Sequence, residues 1–389
     1  MKRRLTLMLA MAGVLILCGA LVNYLLNPYG FWSTSLIDPV FRKPKDEHVA
    51  LPYAIRSDDM TTLLIGTSRV VFGMRIDGLS ANGFVNGGIR AASIRESCAT
   101  VDAALSNAHL KRIVWGIDFF QFNRGWDPAN PEFDRRLEGG IGPIVGDTLL
   151  SLAAFDNGIG DLKRMMRGRA RLPNTARTEV PWPLDVICRE YAKEQGRGLV
   201  KTPASGIVNQ ISVNMPNYQG FDFSESFWTI FRDSVERAER RGVEVIIFVP
   251  PMSAYELEVI RRAGDWDQFE AWKRRLVTLG PVTDFSGYNR LAYLDDYYTD
   301  VMHHKTPIGE AILRILLGMP APACYGIDQN LGAAMVRLDR RNIEIEIAAQ
   351  DRMMREASSA DSRYGRLAEA ALVDQRARLK ARREASVIP

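Results

Sequence analysis

Histidine is scarce in this chain: 389 residues hold four, His48, His109, His303 and His304. Cysteine is as scarce, with Cys18, Cys98, Cys188 and Cys324 far apart and no CxxC spacing. These shortages argue against a zinc site and against a dense disulfide framework. Cys18 falls inside an apolar run, so at most one pair among the other three can bridge. A surplus of one charge is missing too. Fifty Lys plus Arg face 46 Asp plus Glu, leaving +4, with the signs interspersed over most of the length. That balance carries no nucleic-acid footprint. With 47% hydrophobic and 25% charged residues, the composition is that of an ordinary globular protein of one large domain or two.

What the chain does have is one long hydrophobic run. "MKRR" precedes a nearly unbroken apolar segment over residues 5–26. As a helix it would measure about 33 Å at ~1.5 Å per residue, enough to cross a bilayer core. Positive charge before the run and none immediately after it puts the first residues in the cytoplasm and the rest outside. Tyr24, Tyr29 and Trp32 then fall where an interfacial aromatic belt is expected. A cleaved signal peptide is the competing reading, but it calls for an apolar region of ~7 to 15 residues and a small-x-small site. This run is longer and no such site follows. A lipoprotein at Cys18 is a poor match, because Leu17 precedes it and the run continues beyond. The sequence therefore predicts a retained single-pass anchor with the bulk of the chain outside the cytoplasm.

Residues 28–60 are rich in Pro, Gly and aromatics without a sustained period and read as an extended stalk packing onto the domain. From Thr61 strands and helices alternate. "TTLLIG", "GFVNGG", "LKRIVWGIDFF", "VEVIIFVPP" and "LVTLGPVTDFSG" read as five strands. "SIRESCATVDAALSNAHL" and "FSESFWTIFRDSVERAERRG" read as helices between them, the second closing on Gly242. Apolar strands bounded by such helices predict an α/β fold of three layers, α/β/α, around a mainly parallel sheet. Sites in such sheets lie beyond the C-terminal strand ends. Residues 125–217 break the rhythm and read as a lid-like insertion. After Cys324 two charged stretches, 333–357 and 366–385, read as a helical extension: an amphipathic pair packing on the domain, with a partner-binding or membrane-surface arm as the alternative. The expected boundaries are 1–27 cytoplasmic start and span, 28–60 stalk, 61–325 α/β domain and 326–389 extension.

With so few histidines, the search for a catalytic base is short. His303 follows Asp300 by three residues in "DDYYTDVMHHKTPIGEAIL". A carboxylate at that spacing on a tight turn can accept the Nδ1 proton and orient the ring, leaving Nε2 to face a hydroxyl. Thr306 and Pro307 read as an N-cap and first helical position just beyond. His304 lacks that spacing, His48 lies in the stalk and His109 at a helix end. The hydroxyl candidate is Ser68 in "LLIGTSRVVFGM", where an apolar strand runs into Gly-Thr-Ser-Arg. The plain reading of Ser68 is a helix cap.

Together these segments make the chain resemble the SGNH (GDSL-like) hydrolase superfamily over roughly residues 61–317. "IGTS" is similar to the family's first block and implies a nucleophile at Ser68. "VNGGIRAAS" is similar to the second and implies an oxyanion-hole amide at Gly88. "DVMH" is similar to the last and implies Asp300 as orienting acid and His303 as base. The implied fold is the family's flavodoxin-like one. The third block departs: "WGIDFFQFN" keeps Gly116 but has Asp118 where the family's oxyanion asparagine is expected. A carboxylate there would repel the oxyanion. Either Asp118 has another role, or Asn123, Arg69 or Arg90 supplies the donor.

The resemblance implies acyl transfer: a serine esterase or O-acyltransferase working on acyl, foremost acetyl, esters of a cell-envelope glycan, exopolysaccharide or acylated small molecule. It implies the bacterial inner membrane for the anchor and the periplasm for the bulk of the chain, and it implies no cofactor and no metal. A non-catalytic relative that binds polysaccharide or scaffolds an envelope assembly is the alternative. A third reading, an anchored interaction protein without a ligand site, requires Ser68 and His303 to lie far apart.

Overall fold

The computed structural model describes residues 2–32, 35–42, 46–56, 60–74, 83–128, 130–170, 180–215, 218–359 and 362–385. Parts of the expected stalk (33–34, 43–45, 57–59), insertion (129, 171–179, 216–217) and C-terminal extension (360–361, 386–389) lie outside the described residues.

Among the described residues six strands form one sheet: β1 (Thr62–Gly66), β2 (Phe84–Gly88), β3 (Arg112–Gly116), β4 (Glu244–Val249), β5 (Val282–Asp284) and β6 (Val336–Leu338). Their order is β2-β1-β3-β4-β5-β6, parallel throughout except for antiparallel β6. The fold is α/β. Leu63, Leu64, Ile65, Ile113, Val114 and Trp115 are all buried, because helices cover these strands and leave no polar alternation.

The N-terminal apolar helix is α1 (Lys2–Leu26), followed by α2 (Glu47–Ala54), α3 (Ser68–Gly73) and α4 (Ile94–Ala104). Residues 125–217 hold α5 (Pro131–Glu138), α6 (Ile141–Thr148), α7 (Leu152–Met166), α8 (Leu184–Glu194) and α9 (Ala204–Asn214). Next come α10 (Glu225–Arg240), α11 (Ala254–Ala263), α12 (Trp266–Leu276) and α13 (Thr306–Leu316). Last are α14 (Ile327–Ala334), α15 (Ile343–Ser359) and α16 (Arg363–Ala385). Helix α4 starts on a capping box in which Ser93 accepts from the Glu96 N–H while the Glu96 carboxylate accepts from the Ser93 N–H. Helix α16 packs on α9 and α11.

Two expectations need correcting. The described residues of the 28–60 segment pack onto the domain but are not extended throughout: Asp46 caps α2, which buries Leu51, Tyr53 and Ala54 despite Pro52 in its interior. Residues 333–357 are not one helix either. Val336–Leu338 adds to the sheet edge, and Asp339 then accepts from the N–H groups of Arg341 and Asn342 at 2.7 and 3.2 Å, turning the chain into α15. A three-residue strand between helices offers too few positions for a period-2 pattern to show.

Candidate active site

Strand β1 ends at Gly66, and Thr67 caps the short helix α3 through its side chain, which accepts from the Arg69 N–H. Ser68 is therefore the first helical residue and not the cap, so its hydroxyl is not needed to satisfy the helix end. The Ser68 Oγ lies 2.7 Å from Nε2 of His303. His303 sits in the turn before α13, where the Thr299 N–H donates to the His303 carbonyl at 2.8 Å. Inside that turn Asp300 Oδ1 accepts from the N–H groups of Met302 and His303 at 2.9 and 3.0 Å. The same carboxylate faces His303 Nδ1 at 2.8 and 2.9 Å. A carboxylate there favours the Nδ1–H tautomer, so Nε2 is the acceptor for the serine proton.

Burial alone would raise the Asp300 carboxyl, but His303 and the two backbone donors outweigh it and hold it below the ordinary carboxylate range. The side chains of His303 and Asp300 keep 16% and 25% of their surface exposed, which leaves the relay open to solvent on one side. Phe72 presents a T-shaped ring contact to His303, with centroids 5.4 Å apart. His304 is placed quite differently. It is buried, and desolvation lowers its pKa to about 4, so the ring is neutral. It wedges between α3 and α13: a Cβ on Gly73 would fall 1.9 Å from His304 Cε1, and one on Gly309 would fall 2.3 Å from the Gly73 carbonyl oxygen. The Thr306 hydroxyl adds a 2.8 Å bond to the Phe72 carbonyl. The turn before α13 and the helix itself thus hold His303 against the helix that carries Ser68.

The oxyanion candidates lie elsewhere. Asp118 is buried, where it accepts from the Thr67 hydroxyl at 2.5 Å and pairs with Arg69 Nη1 at 3.0 Å. Arg69 Nη2 reaches both oxygens of Glu256 at 2.6 Å, and Tyr218 donates to Glu256 at 2.7 Å. Burial would weaken the Arg69 charge, but Asp118 and Glu256 outweigh it and keep the guanidinium protonated. Arg69 is committed to this network and is not a free donor. Asp118 thus holds the residues on both sides of Ser68, Thr67 and Arg69, and its carboxylate is engaged there.

Asn123 accepts from the Gly125 N–H at 3.0 Å and forms a bridge with Phe223, so it fastens the chain after β3 to the segment before α10. Arg90 is half exposed and pairs with Glu47 at 3.0 Å. The Gly88 N–H donates to Asn86 Oδ1 at 2.9 Å, while Asn86 Nδ2 donates to the carbonyls of Val70 and Met74. That amide is engaged within its own turn. The Ser68 N–H, at a first helical position, is of the kind that helix geometry leaves without an intrahelical acceptor.

Beside the relay lies a cleft of about 410 Å³ lined by Phe72, Arg197, Thr299, Asp300, His303 and Thr306 among others. One wall comes from the end of α8, inside the 125–217 stretch. Buried Lys305 holds that wall, donating to the Glu194 carbonyl at 2.7 Å and to Asp296 at 3.1 Å. Asp296 also accepts from the Gly196 N–H and the Tyr191 hydroxyl, each at 2.7 Å. Gly198, at φ +74°, lies so close to Tyr298 that a Cβ would come 2.7 Å from its carbonyl oxygen. The Cys188–Cys324 disulfide anchors α8 from the other side. Sequence reasoning missed Arg197, Lys305 and Glu256. Only the adjacency of Lys305 to His304 was a signal for any of them.

The chain matches no protein-family model, and no curated protein matches it by sequence.

Proposed function

We propose that this chain is a membrane-anchored serine esterase or O-acyltransferase of the SGNH type, acting outside the cytoplasm on acyl, foremost acetyl, esters of a cell-envelope polysaccharide. The observation that carries the reading is the continuous Ser68–His303–Asp300 relay, with 2.7 Å between hydroxyl and ring. In the first step Ser68 Oγ bonds to the ester carbonyl carbon while its proton passes to His303 Nε2. The imidazolium is stabilised by Asp300 and returns that proton to the departing alcohol oxygen, leaving an acyl-serine. Water or a sugar hydroxyl, deprotonated by the same ring, then bonds to the acyl carbon as its bond to Ser68 Oγ breaks, and His303 returns the proton to that oxygen. The parallel sheet with the site beyond the ends of β1 and β3 supports an SGNH-like arrangement of layers. The apolar α1 behind Lys2, Arg3 and Arg4 supports the anchor, and a disulfide between Cys188 and Cys324 suits an oxidising compartment. The glycan substrate rests on family resemblance and location.

A non-catalytic, polysaccharide-binding or scaffolding relative is the second reading. It is favoured by one observation: neither Asp118 nor the Gly88 amide is available to an oxyanion. The reading without a ligand site required Ser68 and His303 to be apart, and they are in contact.

A fluorophosphonate serine probe applied to the full chain in detergent separates the two. The esterase reading expects labelling of wild type that is abolished in Ser68→Ala and falls by roughly 10²- to 10⁴-fold in His303→Ala. Asp300→Asn, which leaves the wrong tautomer, is expected to lose about 10⁴-fold. Absence of labelling in folded wild type moves the assignment to the scaffold.

A further inference from the structure

Helix α1 does not leave the domain through a free tether. Its outward side chains are uncovered as far as Leu21, 57% exposed, but Asn23 and Leu26 are 3% and 5% exposed. Asn23 Nδ2 donates to the carbonyls of Leu149 and Ser151 at 2.7 and 3.1 Å. Leu25 accepts from the Leu36 N–H at 2.8 Å. Helix α7 closes on the same turn, where a Cβ at Gly158 would lie 2.8 Å from Leu26 Cδ1. The last turn of the apolar helix is therefore enclosed by protein.

Around that enclosure, among the described residues, Leu36, Leu150 and Leu152 are large apolar side chains that the domain leaves uncovered, at 63%, 55% and 86% exposure. Each is bonded to α1 through its own backbone or is next in sequence to a residue that is. Their distance from the helix exit is thus fixed by hydrogen bonds.

The length of α1 says what covers them. With the last turn enclosed, the apolar stretch left for lipid runs over residues 5–22, about 27 Å at ~1.5 Å per residue, against a hydrocarbon core of about 30 Å. A span slightly short of the core is met by local thinning of the bilayer around it, which brings the headgroup boundary onto the protein surface beside the helix exit. We propose that Leu36, Leu150 and Leu152 form an apolar collar around the outer end of α1 that seats the domain in the headgroup layer of the bilayer. The proposal rests on reading α1 as a membrane span. The occupant of this surface is lipid, and the domain rides at a fixed height, with its catalytic cleft held in one orientation to the membrane.

Spin labels on the full-length chain in phosphatidylcholine–phosphatidylglycerol vesicles test this. In a Cys18→Ala background Cys98 is buried and Cys188 and Cys324 are joined, so single cysteines can be placed by Leu15→Cys, Leu150→Cys, Leu152→Cys and Val200→Cys. Collision with oxygen against collision with a water-soluble nickel chelate reports depth. The expected result is a lipid-like ratio at 15, a shifted ratio of the same sign at 150 and 152, and a water-like ratio at 200. A lipid-like ratio at 15 with water-like ratios at 150 and 152 overturns the collar and leaves the span standing. A water-like ratio at 15 overturns both. Labels at 150 and 152 that are immobile and shielded from both reagents would mean a protein partner or second copy covers the surface, which also overturns the proposal.

Discussion

His303 and His304 are neighbours with opposite surroundings, and the contrast extends to His48. His304 is enclosed between two glycine-lined helices, and desolvation lowers its pKa to about 4 from an ordinary 6.5. The unfolded chain then binds a proton between pH 6.5 and 4 that the folded chain refuses. Stability contributed by neutral His304 is complete above 6.5 and declines as pH falls, by up to about 1.4 kcal/mol per pH unit. His48 has the reverse sign. Its hydrogen bond to Glu96 outweighs the penalty of burial and raises its pKa, so its contribution is present below pH 6.5 and lost as pH rises through the folded value. Thermal unfolding followed from pH 8 to 5 separates the two. Wild type is expected to lose melting temperature on acidification less steeply than His48→Gln and more steeply than His304→Gln. Parallel profiles for all three proteins would show that neither ring is coupled to folding in this way.

The contact between α3 and α13 joins chain segments more than 200 residues apart, and it depends on the absence of two Cβ atoms. Gly73→Ala is expected to push His304 out of its seat, costing about 1–3 kcal/mol as overpacking and more in labelling rate, because His303 moves with it. Gly160→Ala is the matched control: in α7 its Cβ meets nothing within 4 Å, and a gain of about 0.5–1 kcal/mol is expected from helix propensity. Melting temperature and probe labelling measured together distinguish loss of fold from loss of alignment. Equal labelling per folded molecule in Gly73→Ala and wild type would refute the alignment role. The same element shows what was legible beforehand. Asp300 and His303 are three residues apart on one turn, so their pairing is local and readable. The apolar strands announced themselves because parallel strands are buried on both faces. Helix α2 was hidden by the Pro and aromatic density around it, and β6 by its brevity. The Arg69–Glu256 pair, separated by 187 positions, has no local signature at all.

At the scale of the molecule, the segment between β3 and β4 is built into the body at two places, only one of them beside the candidate site. Its α7 grips the end of α1, and its α8 forms one wall of the cleft. The Cys188–Cys324 bond closes a loop with a sequence separation of 136, for which the chain-entropy account gives at most about 5 kcal/mol. Yet the wall has a second set of fastenings in Lys305, Asp296 and Tyr191, all made by the folded chain without the disulfide. The two roles can be separated by the paired substitution Cys188→Ser and Cys324→Ser. Melting temperature is expected to fall by several degrees, since opening the loop acts chiefly on the unfolded chain, while fluorophosphonate labelling at 20 °C stays within about twofold of wild type. The opposite pattern, an unchanged melting temperature with labelling lost, would mean that the bond aligns the cleft wall and that the polar fastenings do not suffice. Free thiol counts on protein purified from membranes complete the test. The bond demands that Cys188 and Cys324 resist alkylation until a reductant is added, whereas prompt alkylation of both in native protein would remove the staple and, with it, the disulfide's support for an extracytoplasmic domain.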